Sequence, residues 1–301
     1  MDSLQSLIAA EALQPVDPRV TGFARAIIAP FGDTARAVIF YGSCLREAQL
    51  DGLMLDFYLI VSDYDAAYGK SWLARANRLI PPNVFPFAAD GLSAKYAVLS
   101  EGDFAQLCSL KADNVSVWAR FAQPTRLVWL ADDRAQDTAI AAIAQAAPTL
   151  LSLALPVTPA QNTNDWKILF EEGFARTYKA ELRAERSGRS ASIVDAQPDY
   201  YRDMFDAARA DGALDPSGPA TSSNRRAVER RWQQLQRRGK WLSVIRLAKA
   251  SFTFAGGIDY LAWKINRHAG TNIVITPWQR RHPLLAAVTL LPRLIARRAI
   301  G

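Results

Sequence analysis

Ala37-Val38-Ile39-Phe40-Tyr41-Gly42-Ser43, followed shortly by Met54-Leu55-Asp56-Phe57-Tyr58-Leu59-Ile60-Val61, is the part of the chain that decides its fold. Both runs are short, apolar, and rich in β-branched and aromatic side chains, which is the composition of buried strands. The first ends in glycine. The second carries a single carboxylate between apolar neighbours. Working outward, residues 94–100 and 125–130 read as a third and a fourth strand. Residues 66–80 and 102–112 between them have helical spacing, with Ser100 ahead of Glu101 and Asp103 as a helix start. The first 134 residues therefore predict an α+β unit around a small mixed sheet.

After Asp132 the strand signal fades. An alanine- and leucine-rich helix is expected over 135–155, interrupted near Pro148, with further helices over 165–186 and 200–210. Residues 211–224, containing Gly212, Pro216, Gly218 and Pro219, read as a linker. A long basic helix over 225–250, with a break expected at Gly239, and a shorter one over 257–268 follow. The chain divides on this reading into 1–134, a helical unit over 135–224, and a basic C-terminal region over 225–301.

Composition narrows the function. Half of the 301 residues are apolar and 22% are charged, which suits a packed globular chain and excludes disorder or a collagen-like repeat. Two cysteines, Cys44 and Cys108, and two histidines, His268 and His282, supply no zinc spacing, and the compartment is expected to be reducing. No signal peptide is expected, and the apolar run 284–291 is short for a bilayer span, so the chain reads as cytoplasmic, soluble or peripheral. Charge is uneven. From Arg225 onward there are 16 Lys/Arg against two acids, Glu229 and Asp259, whereas the first 224 residues hold 20 bases and 27 acids. A basic end on an acidic body predicts an anionic partner surface, and the interleaving of Trp241, Phe252, Tyr260 and Trp263 with Arg246, Lys249 and Lys264 suggests a membrane rather than nucleic acid. The apolar tail 284–298 with Arg293, Arg297 and Arg298 carries that reading, whereas the aromatics of 257–268 read rather as the core of a small helical subdomain.

The chemistry sits in the opening stretch. A strand that runs into Gly42-Ser43 lets the backbone approach a phosphate, and a helix start behind it presents free N–H groups. Asp56 lies thirteen positions after Ser43 on the next strand. An acid between Leu55 and Phe57 is costly unless it is paired or binds a cation, and it can hold Mg²⁺ against the same phosphates. Gly-Ser followed by a strand carboxylate is the pattern of nucleotidyltransferases similar to DNA polymerase β. Asp51, Asp63 and Asp90 are candidates for further metal carboxylates.

The text then becomes more specific. Phe40-Tyr41-Gly42-Ser43, Met54-Leu55-Asp56-Phe57 and Asp63 are followed by Pro82-Asn83, Lys95-Tyr96, Trp118-Ala119-Arg120 and Pro124. Thr177-Tyr178-Lys179-Ala180-Glu181-Leu182-Arg183, Glu185 and Arg189 complete the series. Across residues 35–205 this order resembles the mitochondrial translocator-maintenance family of phosphatidate cytidylyltransferases. The resemblance implies a polymerase-β-like nucleotidyltransferase domain followed by a winged-helix-like domain. It also implies Mg²⁺-dependent formation of CDP-diacylglycerol from CTP and phosphatidic acid at a membrane surface. Gly42 and Ser43 would take the triphosphate, Asp56 the Mg²⁺, Lys95 the triphosphate charge, and Arg183 with Arg189 a nucleotide or lipid phosphate. Tyr178 reads either as a ring stacking on cytosine or as core packing. Met54 stands where the wider superfamily has a second acid, and Glu181 and Arg189 stand where the family usually has Asp and Lys. The alternatives are transfer to another acceptor (a different lipid, RNA or a small molecule) and a lipid-surface protein without turnover.

Overall fold

The computed structural model describes residues 3–47, 50–89, 91–181, 189–214, 222–253 and 274–278. In chain order the elements are α1 Leu4–Ala12, α2 Pro18–Ile28, β1 Ala35–Tyr41, α3 Ser43–Glu47, β2 Met54–Val61, α4 Tyr64–Tyr68 and α5 Trp72–Leu79. They continue with β3 Asn83–Ala89, β4 Leu92–Ser100, α6 Glu101–Cys108, α7 Trp118–Phe121 and β5 Thr125–Leu130. The remainder is helical: α8 Asp133–Ile143, α9 Ala146–Ala154, α10 Trp166–Ala180, α11 Arg189–Asp195, α12 Pro198–Ala210 and α13 Ser222–Thr253. The expected α+β architecture is present, with a five-stranded mixed sheet in the order β3-β4-β2-β1-β5. Only the β2–β4 pair is parallel.

Side-chain alternation along the strands builds two cores. Leu55, Phe57, Leu59 and Val61 of β2 join Val38 and Phe40 of β1 under Val20, Phe23 and Ile27 of α2. Tyr58 and Ile60 point the other way, with Ile39 and Leu99, into a larger core shared with α1 and helices α6 to α13. Asp56 has the parity of Tyr58 and Ile60, so it lies on this helical face.

Several expected elements shift for identifiable reasons. β3 is not among the strands expected above; it contains Pro86 and is an edge strand, where a missing N–H costs no ladder bond. The helix expected over 66–80 is two, α4 and α5, divided at Gly69, whose φ of +63° ends the first. The interruption expected near Pro148 is present: the stretch divides into α8 and α9 at residues 144–145, which places Pro148 in the first turn of α9, where the missing N–H has no intrahelical role. α1 and α2 were not anticipated, although Asp17 caps α2 ahead of Pro18 in the manner expected of a helix start. From Ala131 on, no strand appears among the described residues, so no wing strand is among them. The apolar stretch Asp133–Val157 is long enough to suggest a membrane span, but 72% of its most apolar window is buried inside the protein.

Gly239 does not break the basic helix, which runs unbroken through Ser222–Thr253. Its role is close approach: a Cβ at Gly239 would run into the Ala180 carbonyl oxygen at the end of α10. Nearby, Trp232 is buried against Trp118 and donates from Nε1 to the Leu153 carbonyl at 2.9 Å. Gly239→Ala is expected to destabilise the protein. The gain in helix propensity is about 1 kcal/mol, whereas forcing backbone apart costs about 1–3 kcal/mol. A melting temperature equal to or above that of the parent protein would show that α13 tolerates displacement from α10.

Candidate active site

The sheet register brings the first constellation together. Tyr41 pairs with Asp56 across β1 and β2, and Asp56 pairs with Lys95 across β2 and β4. Gly42 follows Tyr41 with φ +97°, a conformation that L side chains rarely adopt. A Cβ on Gly42 would lie 3.1 Å from Asp56 Oδ2, so the glycine both turns the chain and leaves room for the carboxylate. Lys95 Nζ stands 3.0 Å from Asp56 Oδ1. Its approach lies off the hydrogen-bonding direction, and Oδ1, although shielded from solvent, accepts no hydrogen bond. With the side chains 36% and 21% exposed, this ion pair is weakly held and open to exchange. Ser43 opens α3, which has only five residues, so phosphate contacts there rest on individual N–H groups and the Ser43 hydroxyl more than on a helix dipole. Cys44 ties α3 to β2 by donating from Sγ to the Met54 carbonyl at 3.5 Å.

The other acids do not gather around Asp56. Asp51 is 78% exposed and pairs with Arg19 at 3.0 Å. Asp63 lies beyond the far end of β2 and caps α4, accepting from Ala66 N at 2.8 Å. Asp90 lies outside the described residues. Among the described residues no group of three His, Cys, Asp or Glu side chains is arranged to hold a metal. The donor set nevertheless fits Mg²⁺ in one form. Asp56 offers a carboxylate with a buried, unbonded oxygen, and Mg²⁺ commonly binds one or two carboxylates while substrate phosphates and water complete its shell.

A second constellation lies on the same face of the sheet. Arg120 of α7 pairs with Glu181, just past α10, through Nη1–Oε1 at 2.9 Å and Nη2–Oε2 at 3.4 Å. Arg120 Nη1 also donates to the Ser116 carbonyl. Burial opposes the Arg120 charge, but the Glu181 carboxylate beside it holds the guanidinium protonated well above its ordinary range. Arg120 and Glu181 line a small, open surface cleft with Gln123, Phe174, Thr177 and Tyr178. Tyr178 thus stands at a cleft wall while also packing against the helical core. The rings of Tyr41, Tyr58 and Phe121 touch at 5.1–6.0 Å and connect this cleft to the Asp56 strand. Burial raises the Tyr58 pKa, so its hydroxyl stays neutral.

Of the remaining expected site residues, Arg183 and Glu185 lie outside the described residues, and Arg189 begins α11 with its side chain outside them. Two residues read from the sequence as part of a basic membrane face turn inward instead. Arg246 donates from Nε and Nη2 to the Pro81 carbonyl at 2.9 and 2.6 Å and from Nη1 to Ser116 Oγ at 2.9 Å. Lys249 donates to the carbonyls of Ile80 and Pro82. A signal for this was present. Trp232, Leu235, Gly239, Leu242, Arg246 and Lys249 follow a three-four spacing, so the two cations continue the seam that buries the tryptophan.

No protein-family model matches the chain, and no curated protein matches it. Among solved structures, a nucleotidyltransferase-like protein from Exiguobacterium sibiricum aligns over 93% of this chain and 91% of its own, with 13% identity and a TM-score of 0.29. Backbones that superpose at that score share too little geometry to fix a fold, so any assignment of function rests on the site itself.

Proposed function

We propose that this chain is a nucleotidyltransferase that joins CTP and phosphatidic acid into CDP-diacylglycerol and pyrophosphate at the cytoplasmic face of an anionic membrane. The observation that carries the reading is the Gly42–Asp56–Lys95 arrangement. A left-handed glycine at a strand end packs against a carboxylate that has one unbonded oxygen, with an ammonium group beside it. A triphosphate takes such a site readily. Gly42 admits the chain of phosphates close to backbone, Ser43 donates to a phosphate oxygen, and Lys95 exchanges its weak pairing with Asp56 for phosphate charge. Mg²⁺ bound at Asp56 would supply charge neutralisation of the phosphates.

The bond made is from a phosphatidate oxygen to the α-phosphorus of CTP, and the bond broken is from that phosphorus to the oxygen bridging the α- and β-phosphates. Pyrophosphate leaves with the bonding electron pair. The nucleophile is already ionised at neutral pH, so no general base is needed, in keeping with a chain whose two histidines, His268 and His282, both fall in the last third of its sequence. Positioning and charge stabilisation carry the reaction. The cleft between Arg120, Tyr178 and Glu181 is the proposed seat of the nucleoside.

The membrane call draws on α13. Arg226, Arg230, Arg237 and Lys240 share its exposed side with Trp241, which is 71% exposed, and Ile245. Each base near an anionic surface contributes about 1 kcal/mol of attraction. The apolar and basic segments after Thr253 lie almost wholly outside the described residues.

Pyrophosphate release from each of the four nucleoside triphosphates, with Mg²⁺ and with or without phosphatidic acid in mixed micelles, tests the reading. Release that requires CTP and phosphatidic acid together is the expected result. Release with CTP that ignores phosphatidic acid would assign a different acceptor, and no release with any of the four would remove the transferase reading.

A further inference from the structure

The inward face of α13 changes character along its length. Trp232, Leu235 and Gly239 are buried, and the same seam then presents Arg246 and Lys249. Their partners are neutral: the carbonyls of residues 80–82 and the hydroxyl of Ser116. Arg120 reaches the same serine from the other side, donating to its carbonyl. Two guanidinium groups therefore converge on Ser116, itself buried.

The charges do not balance. Among the described residues, Glu181 and Asp113 are the carboxylates that act on Arg246. Glu181 is held by Arg120, and Asp113 by Arg238. Carbonyl and hydroxyl oxygens solvate a cation without cancelling its charge, and charge left uncompensated in a partly buried site is costly. The consequences are visible on the groups themselves. Burial, with repulsion from Arg120, lowers the Arg246 pKa. Burial, with repulsion from Arg246, lowers Lys249 to about 7. A cluster with surplus positive charge and two planar guanidinium forks is suited to a tetrahedral oxyanion, which accepts several charge-assisted hydrogen bonds at once.

We propose that Arg120 and Arg246, which converge on Ser116, together with Lys249 on the adjoining 80–82 carbonyls, form a phosphate-binding site between α13 and the helical face of the sheet. The ligand is a phosphate group, carried either by a phosphate monoester or by pyrophosphate. The site is separate from the Gly42–Asp56–Lys95 arrangement and does not depend on the proposed reaction. A tether for α13 alone would need only the bonds to the 80–82 carbonyls and would have no use for a third cation on Ser116.

Competitive acetylation of the full-length protein at neutral pH, read by mass spectrometry at Lys249 and Lys95, tests the site without a variant. The probes are inorganic pyrophosphate and glycerol 3-phosphate, each without Mg²⁺. A bound phosphate shields Lys249 and holds it protonated, so its acetylation rate should fall about fivefold or more. Protection by glycerol 3-phosphate alone identifies a monoester site, and protection by pyrophosphate alone a diphosphate site. Arg246→Gln should weaken the protecting probe about tenfold or more while leaving any protection of Lys95 in place. An unchanged Lys249 rate at saturating concentrations of both probes overturns the proposal, as does protection confined to Lys95. The transferase reading is judged separately by nucleotide turnover.

Discussion

Asp56→Asn is expected to remove nucleotidyl transfer, lowering turnover by at least about 10²–10³-fold, the scale on which charge-stabilising groups act. The side chain is fixed by register, with Tyr41 on one side and Lys95 on the other, and it rests against the Gly42 backbone. Asparagine keeps the shape and the packing against Gly42. What changes is the charge, and with it the capacity to hold a cation beside triphosphate. Stability should barely move. The pair with Lys95 is partly open to solvent and is worth about 0–1 kcal/mol, and the substitution removes a partly buried charge whose shielded Oδ1 accepts no hydrogen bond. A melting curve and a pyrophosphate-release assay on the same preparation separate the possibilities. Retained turnover would take Asp56 out of the chemistry. A collapse in melting temperature would make it a structural acid.

How far this arrangement could be read from the sequence depends on the distance over which each contact is made. Four of the five strands are legible, because β1, β2, β4 and β5 are short apolar runs closed by turn residues or caps. The turn at Gly42 and the parity of Asp56 follow from the same runs. The contact between Asp56 and Lys95 does not follow, because it needs the parallel β2–β4 pairing, which no local pattern announces. The pair Arg120–Glu181 spans 61 positions and exists only because α7 and α10 pack over one face of the sheet. Asp51 and Asp63 illustrate the opposite error. Proximity in sequence to Asp56 suggests shared duty, but one sits in an exposed turn and the other caps a helix beyond the far end of β2. The charge on α13 misleads in a third way. A count of arginines predicts a solvated face, whereas helical periodicity assigns Arg246 and Lys249 to the buried seam and leaves Arg226, Arg230 and Arg237 outside.

Glu181→Ala should produce the largest loss of stability among single substitutions at the cleft. The carboxylate is 14% exposed and its partner Arg120 21% exposed, so neither end of the pair is well solvated. Removing one partner leaves a buried guanidinium with only the Ser116 carbonyl, and uncompensated buried charge of this kind costs about 3–5 kcal/mol. At about 2–4 °C per kcal/mol for a chain of this size, the melting temperature should fall by on the order of 6–20 °C. Glu181→Gln should fall less, since an amide oxygen still accepts from Arg120 although the charge is gone. A loss of under about 1 kcal/mol for the alanine variant would mean that water reaches Arg120 freely and that the pair behaves as a surface contact. The same variant bears on the phosphate site. Without Glu181 the cluster of Arg120, Arg246 and Lys249 has an even larger positive surplus, so a bound oxyanion should stabilise the variant more than the parent protein. Millimolar pyrophosphate is therefore expected to restore part of the lost melting temperature in Glu181→Ala, by the ordinary linkage between ligand binding and folding. If pyrophosphate raises both proteins equally, its binding is insensitive to the charge at this cleft, and the ligand is sitting elsewhere.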